Sequence, residues 1–353
     1  MSTTPTRSPA RRSAGRSARG SADDVAPAHD TVHRVGRGAP VGVIVALAVV
    51  LGIVLTAFAL PAVNSAPRDV PIGVAGPAAA SAQVTAALNG RAPGAFEVNA
   101  FADEAALTSA IRDRAVYGGI VVTATGPKVL TAPAGSPAVA QLLTNLATGL
   151  SQQTGRQVPV TEVVPLPAKD ARGAGLSSAL LPLIIGSVAP VIAMVRLVRG
   201  RWARLAGVLT ASVVIGATLA GLLHWYGVFT AGWGLDAAAM AAVLAAMSTA
   251  LLGLHAVGRW AGLGLGVATF MLLGNPLSGL ATAPEFLPEL WSSLGAWLPP
   301  GAAGQVLRSS AYFDGAGATH GLIVLGSWFL VGLVLIAVAP RSRASDVPAP
   351  ALA

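Results

Sequence analysis

The chain has 353 residues, 54% of them hydrophobic and 11% charged, where a water-soluble globular protein carries about 25% charged residues. That deficit excludes an ordinary soluble enzyme and points to a membrane protein, and the absence of cysteine excludes disulfides, thiolate catalysis and cysteine-based metal centres. The net charge of +8 lies in arginine-rich stretches at the ends of apolar runs, a pattern that orients membrane spans and gives no reason to expect a nucleic-acid partner.

Residues 1–38 combine Ser, Ala, Gly, Pro and Arg without any apolar period. Such a segment cannot bury enough surface to offset its ordering entropy, so a disordered, basic, cytoplasmic tail is expected. Residues 40–63 carry no charge and are long enough to cross a hydrocarbon core about 30 Å thick; they read as an uncleaved first transmembrane helix. Residues 64–175 are the polar part of the chain. Val70–Ala75 reads as a strand, and Ala78–Leu88 as an Ala-rich helix ended by Asn89-Gly90. Phe96–Phe101 alternates as a half-buried strand, and Asp103 caps a helix running through Arg114. Tyr117–Thr123 is a buried strand, and Gly126-Pro127 turns it into a hairpin with Lys128–Ala132. Ser136 caps a longer helix to Gln153, and Val158–Leu166 is the last strand. The order β-α-β-α-β-β-α-β implies a partly parallel sheet covered by helices, an α/β domain.

Five further spans are expected at 176–195, 205–229, 235–255, 261–280 and 319–339. The stretch Arg196–Arg204, the turn at Arg259 and the tail at 341–353 are basic. They fall on one side if the N-terminus is inside, and residues 64–175 then fall on the other. The expected fold is a polytopic α-helical membrane protein with six transmembrane helices and one extracytoplasmic α/β domain inserted between helices 1 and 2. Both termini are cytoplasmic in this reading, the lipid bilayer is the main partner, and the Ala, Gly, Arg and Pro richness suits a bacterial plasma membrane.

The segment 283–314 is broken by Pro284, Pro288, Pro299 and Pro300 into two short apolar helices with Trp291 and Trp297. They are either re-entrant or interfacial. Glu285 and Glu289, four apart, could face one site, or be a solvated face; with Phe286, Trp291, Trp297 and Arg308 they are the candidate outer mouth or interface residues. Gly216 with Ala220, and Gly262 with Gly266, form small-residue faces suited to helix packing, within the chain or in a homodimer. Asp236 is accounted for by its place at a helix N-terminus. No phosphate-binding loop, nucleophile elbow or zinc motif is present, so the chain is not expected to be an enzyme or to carry a cofactor or metal.

One span, a large outward α/β insert and five spans resemble the ABC-2 type permease superfamily, most nearly its YhgE/Pip-like branch. The resemblance rests on the strand Val70–Ala75 soon after the first span, on EVNAFADEAALTSAIRDRAVYGGIVV, and on LPELWSSLGAWLPPGAAGQVLR before the last span. It implies a membrane-spanning permease-like subunit of an export system, acting as a dimer with a separate ATPase. The chain departs from the pattern in its inward connections, Arg196–Arg204 and Val257–Trp260, which are too short to offer a motor much to push on. That departure keeps open an alternative, a non-transporting scaffold or receptor whose outward domain binds a protein or envelope component.

Overall fold

The computed structural model describes residues 39–230, 232–280 and 282–340; the tails expected at 1–38 and 341–353 lie outside the described residues. The chain divides into two units, Met1–Ala48 and Val49–Ala353. Helix α1 (Ala39–Val63) crosses that boundary, and most of its described apolar side chains, Leu51 and Leu55 among them, are exposed. Every later element belongs to the second unit.

The polar insert forms a five-stranded sheet in the order β2-β1-β3-β4-β5. The strands are β1 (Val70–Ala75), β2 (Phe96–Phe101), β3 (Gly118–Thr123), β4 (Gly126–Thr131) and β5 (Val160–Glu162). β1 pairs in parallel with β2 and β3, β3 turns back on β4, and β4 pairs in parallel with β5. Alternation decides which helix each face meets. Ile72, Ile120 and Val129 pack with Leu88 of α2 (Ala78–Arg91) and with Val139 and Leu143 of α4 (Pro137–Thr154). Ala75, Val121 and Leu130 pack on the other face with Leu107 and Ile111 of α3 (Glu104–Arg112). Asp103 caps α3 by accepting from the Ala106 N–H at 2.8 Å, and Ser136 caps α4.

Several boundaries differ from expectation: α3 stops at Arg112 rather than Arg114, and Gly126-Pro127 lies within β4, paired with Thr123 and Val122, so that the hairpin turns at 124–125. The last strand covers only three residues because Pro159 and Pro165 bracket it, and proline donates nothing to a ladder. α2 runs through Asn89-Gly90 and stops before Pro93, which has no N–H to continue it.

Four helices among the described residues are long and apolar enough to cross a membrane: Ala174–Leu197, Arg201–Tyr226, Trp233–Gly274 and Thr319–Val338. The first two are α5 and α6, and the last is α10. The third comprises α7 (Trp233–Ala268) and a π-helical turn, Thr269–Gly274. Its 42 residues would reach about 63 Å if straight, but Arg259 has φ 53° and ψ −139°. A Cβ on Gly262 would stand 2.2 Å from the Leu254 carbonyl oxygen, and one on Gly266 would stand 2.7 Å from Leu251 Cδ2. The helix therefore reverses at Arg259 into two antiparallel arms, at the place where the sequence predicts a turn. Backbone also meets backbone between α7 and α10, where a Cβ on Gly253 would fall 2.6 Å from the Gly332 oxygen.

Two short helices, α8 (Glu289–Trp297) and α9 (Pro299–Tyr312), precede α10. α8 exposes Leu290, Leu294 and Trp297, whereas α9 is buried along nearly its whole length. Ala302, Ala303, Val306 and Leu307 of α9 belong to the same core as α5, α6, α7 and α10. Five small residues, from Gly301 through Ala303, Gly304 and Ala311, let α9 slip between the longer helices.

The centre of the sheet supplies a test. Gly73 faces Gly119 across β1 and β3, and a Cβ on Gly119 would lie 2.1 Å from the Gly73 oxygen. Gly119→Ala should lower stability by about 1–3 kcal/mol. Gly149→Ala, in α4 with nothing within 4 Å of its Cβ position, should raise it by up to about 1 kcal/mol. Melting temperatures of the detergent-solubilised variants should move in opposite directions.

Candidate functional site

The charged side chains that sequence leaves unexplained meet where the sheet domain rests on the helices. α3 ends at Arg112, and two residues on Arg114 has a left-handed φ of 60°, which reverses the chain and re-aims the side chain. Arg114 Nη1 donates to the Gln305 carbonyl at 3.1 Å and to the Ser309 hydroxyl, both on α9. Its guanidinium lies 5.3 Å from the centre of the Phe313 ring. Three residues on, Tyr117 donates its hydroxyl to Glu285 Oε2 at 3.0 Å.

Residues 282–286 form a strap between the sheet and α9. Ser136 Oγ donates to the Thr282 carbonyl while accepting from the Val139 N–H, so one hydroxyl both caps α4 and ties down the strap. Ala283 and Phe286 complete the core beneath α2 and α4. Arg68 closes the far side: its N–H donates to the Glu285 carbonyl at 3.0 Å and its Nη1 to the Phe286 carbonyl at 3.2 Å. Arg308, 7% exposed, donates from Nη2 to the Leu280 carbonyl at 2.8 Å.

A cavity of about 80 Å³ opens in this junction, lined by Pro71, Ile111, Arg114, Tyr117, Glu285 and Phe313 among others. Burial, and then the like charge of Arg308, push the Arg114 guanidinium down to about 10; it remains a cation at neutral pH. Burial, followed by the Glu285 carboxylate, pushes the Tyr117 phenol above its ordinary value, so it stays a hydrogen-bond donor. The junction thus combines two guanidiniums, one carboxylate and a neutral phenol. It can hold waters or a small anion; among the described residues no group of three His, Cys, Asp or Glu side chains comes together.

The structure separates the predicted residues. Glu285 and Glu289 do not share a helical face: Glu285 sits in a single 3-10 turn (Pro284–Phe286) and pairs with Tyr117, while Glu289 is exposed at the start of α8. Pro288 between them breaks the helix that the spacing assumed. Trp291 is half-buried, and Trp297 is exposed, edge-on to His320, with its carbonyl accepting from Trp328 Nε1 at 3.0 Å. The small-residue faces pack within the chain. A Cβ on Gly216 would lie 2.6 Å from the Ala241 nitrogen, Ala220 is buried in the common core, and Gly262 and Gly266 close the reversal of α7. Arg114 and Tyr117 were not anticipated as site residues. The signal was an arginine directly after a helix end and a tyrosine opening a buried strand, both polar groups in places that need partners.

A second, larger cleft of about 630 Å³ lies at the other end of α4, lined by Thr125, Pro127, Lys128, Arg156, Val158 and Pro159 among others. Lys128 is engaged with Glu104 at 2.6 Å. No family model matches the chain, and comparisons with curated proteins and with solved structures find no match.

Glu285→Ala should destabilise the protein by on the order of 2 kcal/mol, because it strips Tyr117 of its acceptor and the two arginines of their anion. Tyr117→Phe should cost less. A double-mutant cycle by thermal melting should return a coupling of about 1 kcal/mol; additive effects would show that the 3.0 Å contact contributes nothing.

Proposed function

We propose that the chain is a membrane-spanning, permease-like subunit of an export system, with its α/β domain outside the cytoplasm and coupled to the spans through α9. The observation that carries this reading is α9, a short helix enclosed by long apolar ones and entered through a π-helical turn and 3-10 turns at Pro276–Ser278 and Pro284–Phe286. Interrupted helices within a bundle of spans are how transporters bring backbone groups and charged side chains to a path. In this reading six spans cross a bacterial plasma membrane: α1, α5, α6, the two arms of α7, and α10. Arg199 and Arg259 face the cytoplasm and the sheet domain faces out. The resemblance to ABC-2 type permeases, through Val70–Ala75 and the stretch from Phe286 to Arg308, supports the same assignment and brings with it a dimer and a separate ATPase.

One observation favours a second reading, a scaffold or receptor. The cleft of about 630 Å³ at the free end of the sheet domain is within the usual size of a ligand site, about 300–1,000 Å³. The connection between α5 and α6 is only Val198–Gly200, which gives a motor little surface.

Export itself is tested by deletion. Loss of the chain should change efflux of an amphiphile or the lipid content of the envelope, and Arg308→Ala should reproduce the change at normal protein level. Unchanged export, with no ATPase co-purifying in mild detergent, would move the assignment to the scaffold reading. Orientation is tested separately: Thr125→Cys should react with an impermeant maleimide in intact cells, and Arg199→Cys only after permeabilisation. Both positions are exposed, and the reverse pattern would overturn the topology.

A further inference from the structure

One buried carboxylate in the helical bundle is only half satisfied. Asp236, in the first turn of α7, has a side chain with no exposed surface. Its Oδ2 lies 2.9 Å from Nε2 of His224, in the last turn of α6, and its Oδ1 has no hydrogen-bond partner. A helix N-terminus explains a carboxylate that gains from the dipole, but not one sealed from water with an oxygen left over. Ser310 of α9 lies within hydrogen-bonding reach of the carboxylate, but in the rotamer seen its hydroxyl donates to the Leu307 carbonyl at 3.1 Å. The Tyr312 hydroxyl, also on α9, is likewise buried without a partner. Tyr312 lies in electrostatic range of Asp236, of Arg308 on its own helix, and of Asp170 in the turn before α5. Lys169 lays its aliphatic stem against Gly227, where α6 ends. The His224 ring is 22% exposed, so the imidazole is the link between a sealed carboxylate and solvent.

We infer that Asp236 and His224 form a proton-binding site inside the helical bundle. With the imidazole neutral, its Nε2–H donates to Oδ2 and the pair carries one net negative charge. A proton taken from water at Nδ1 makes an imidazolium–carboxylate pair that is net neutral. Passing the Nε2 proton on to the carboxylate gives a neutral acid and a neutral imidazole; one proton has entered and no other bond has changed. Burial in apolar surroundings opposes the net-charged state, and an ionisable pair within a span is costly enough that its usual use is functional. Histidine exchanges protons in the physiological range. The site joins α6 and α7 and abuts α9, the helix that holds the sheet domain. The inference goes beyond the permease reading and does not depend on it: the proton would set the state of the contact between α6, α7 and α9, whatever drives export.

The test is the melting temperature of the full-length protein in detergent across about pH 5 to 8. If the folded pair holds a proton that the unfolded chain releases, stability falls as pH rises through that range. Wild type should therefore gain on Asp236→Asn as pH is lowered. His224→Gln should show the same flattened profile, and His224→Lys, which supplies a permanent cation, should fold and show no pH-dependent shift. Parallel profiles for wild type and all three variants would overturn the site, as would a wild-type shift produced by sodium at constant pH. Should either Asp236→Asn or His224→Gln fail to fold, the wild type against His224→Lys decides alone. No substrate enters these measurements, so they fail or succeed independently of the export assay.

Discussion

A helix that stops inside an apolar bundle leaves its terminal carbonyls with no water to meet them. That constraint governs the second half of this chain. The backbone breaks at the π-helical turn Thr269–Gly274 and again at Gly279, whose φ is 63°, and the carbonyl of Leu280 that follows is met by the guanidinium of Arg308. An arginine in that position is expensive to bury, and its planar fork offsets part of that cost by meeting the carbonyl.

From this follows the way the two halves of the second unit are joined. α9 lies against the long helices on one side and presents the Gln305 carbonyl and the Ser309 hydroxyl to Arg114 on the other. The strap 282–286 lies beside it and lends Ala283 and Phe286 to the core of the sheet domain. The sheet domain is therefore not a bead hung on two linkers; part of its interior is made from the chain that leads into α9. In the permease reading proposed above, this shared element would link the sheet domain to the helices, and the His224–Asp236 pair at the end of α6 abuts the same helix.

Much of this was legible in the sequence, for identifiable reasons. The succession of strands and helices along the chain follows from periodicity: two-residue alternation at Phe96–Phe101, a buried run read at Tyr117–Thr123, and capping by Asp103 and Ser136 are local signals, and local signals survive into the fold. The reversal at Arg259 was visible as a charge within an apolar stretch twice the length of a span. What could not be read was any pairing distant in sequence. Tyr117 and Glu285 are 168 residues apart, and Arg114 and Ser309 are 195 apart; neither residue type announces its partner. Of the two readings of Glu285 and Glu289, one shared site or a solvated face, the shared site does not form because four-residue spacing has meaning only within an unbroken helix and Pro288 breaks it; Glu289 alone is solvated. Asp236 was read from its place near a helix end, and its sealing depends on α6 and α9, which spacing alone does not bring together.

Ser136 sits at the first turn of α4, and Thr154 and Arg156 lie at the other end of that helix, on the rim of the large cleft. Eighteen residues of helix make a rod about 27 Å long. The hydroxyl that starts the rod also fastens the strap, so the rod cannot tilt or slide without disturbing either its own cap or its tether. The mouth of the cleft and the seam with the apolar helices are thus the two ends of one stiff object, and a displacement at one is geometrically a displacement at the other.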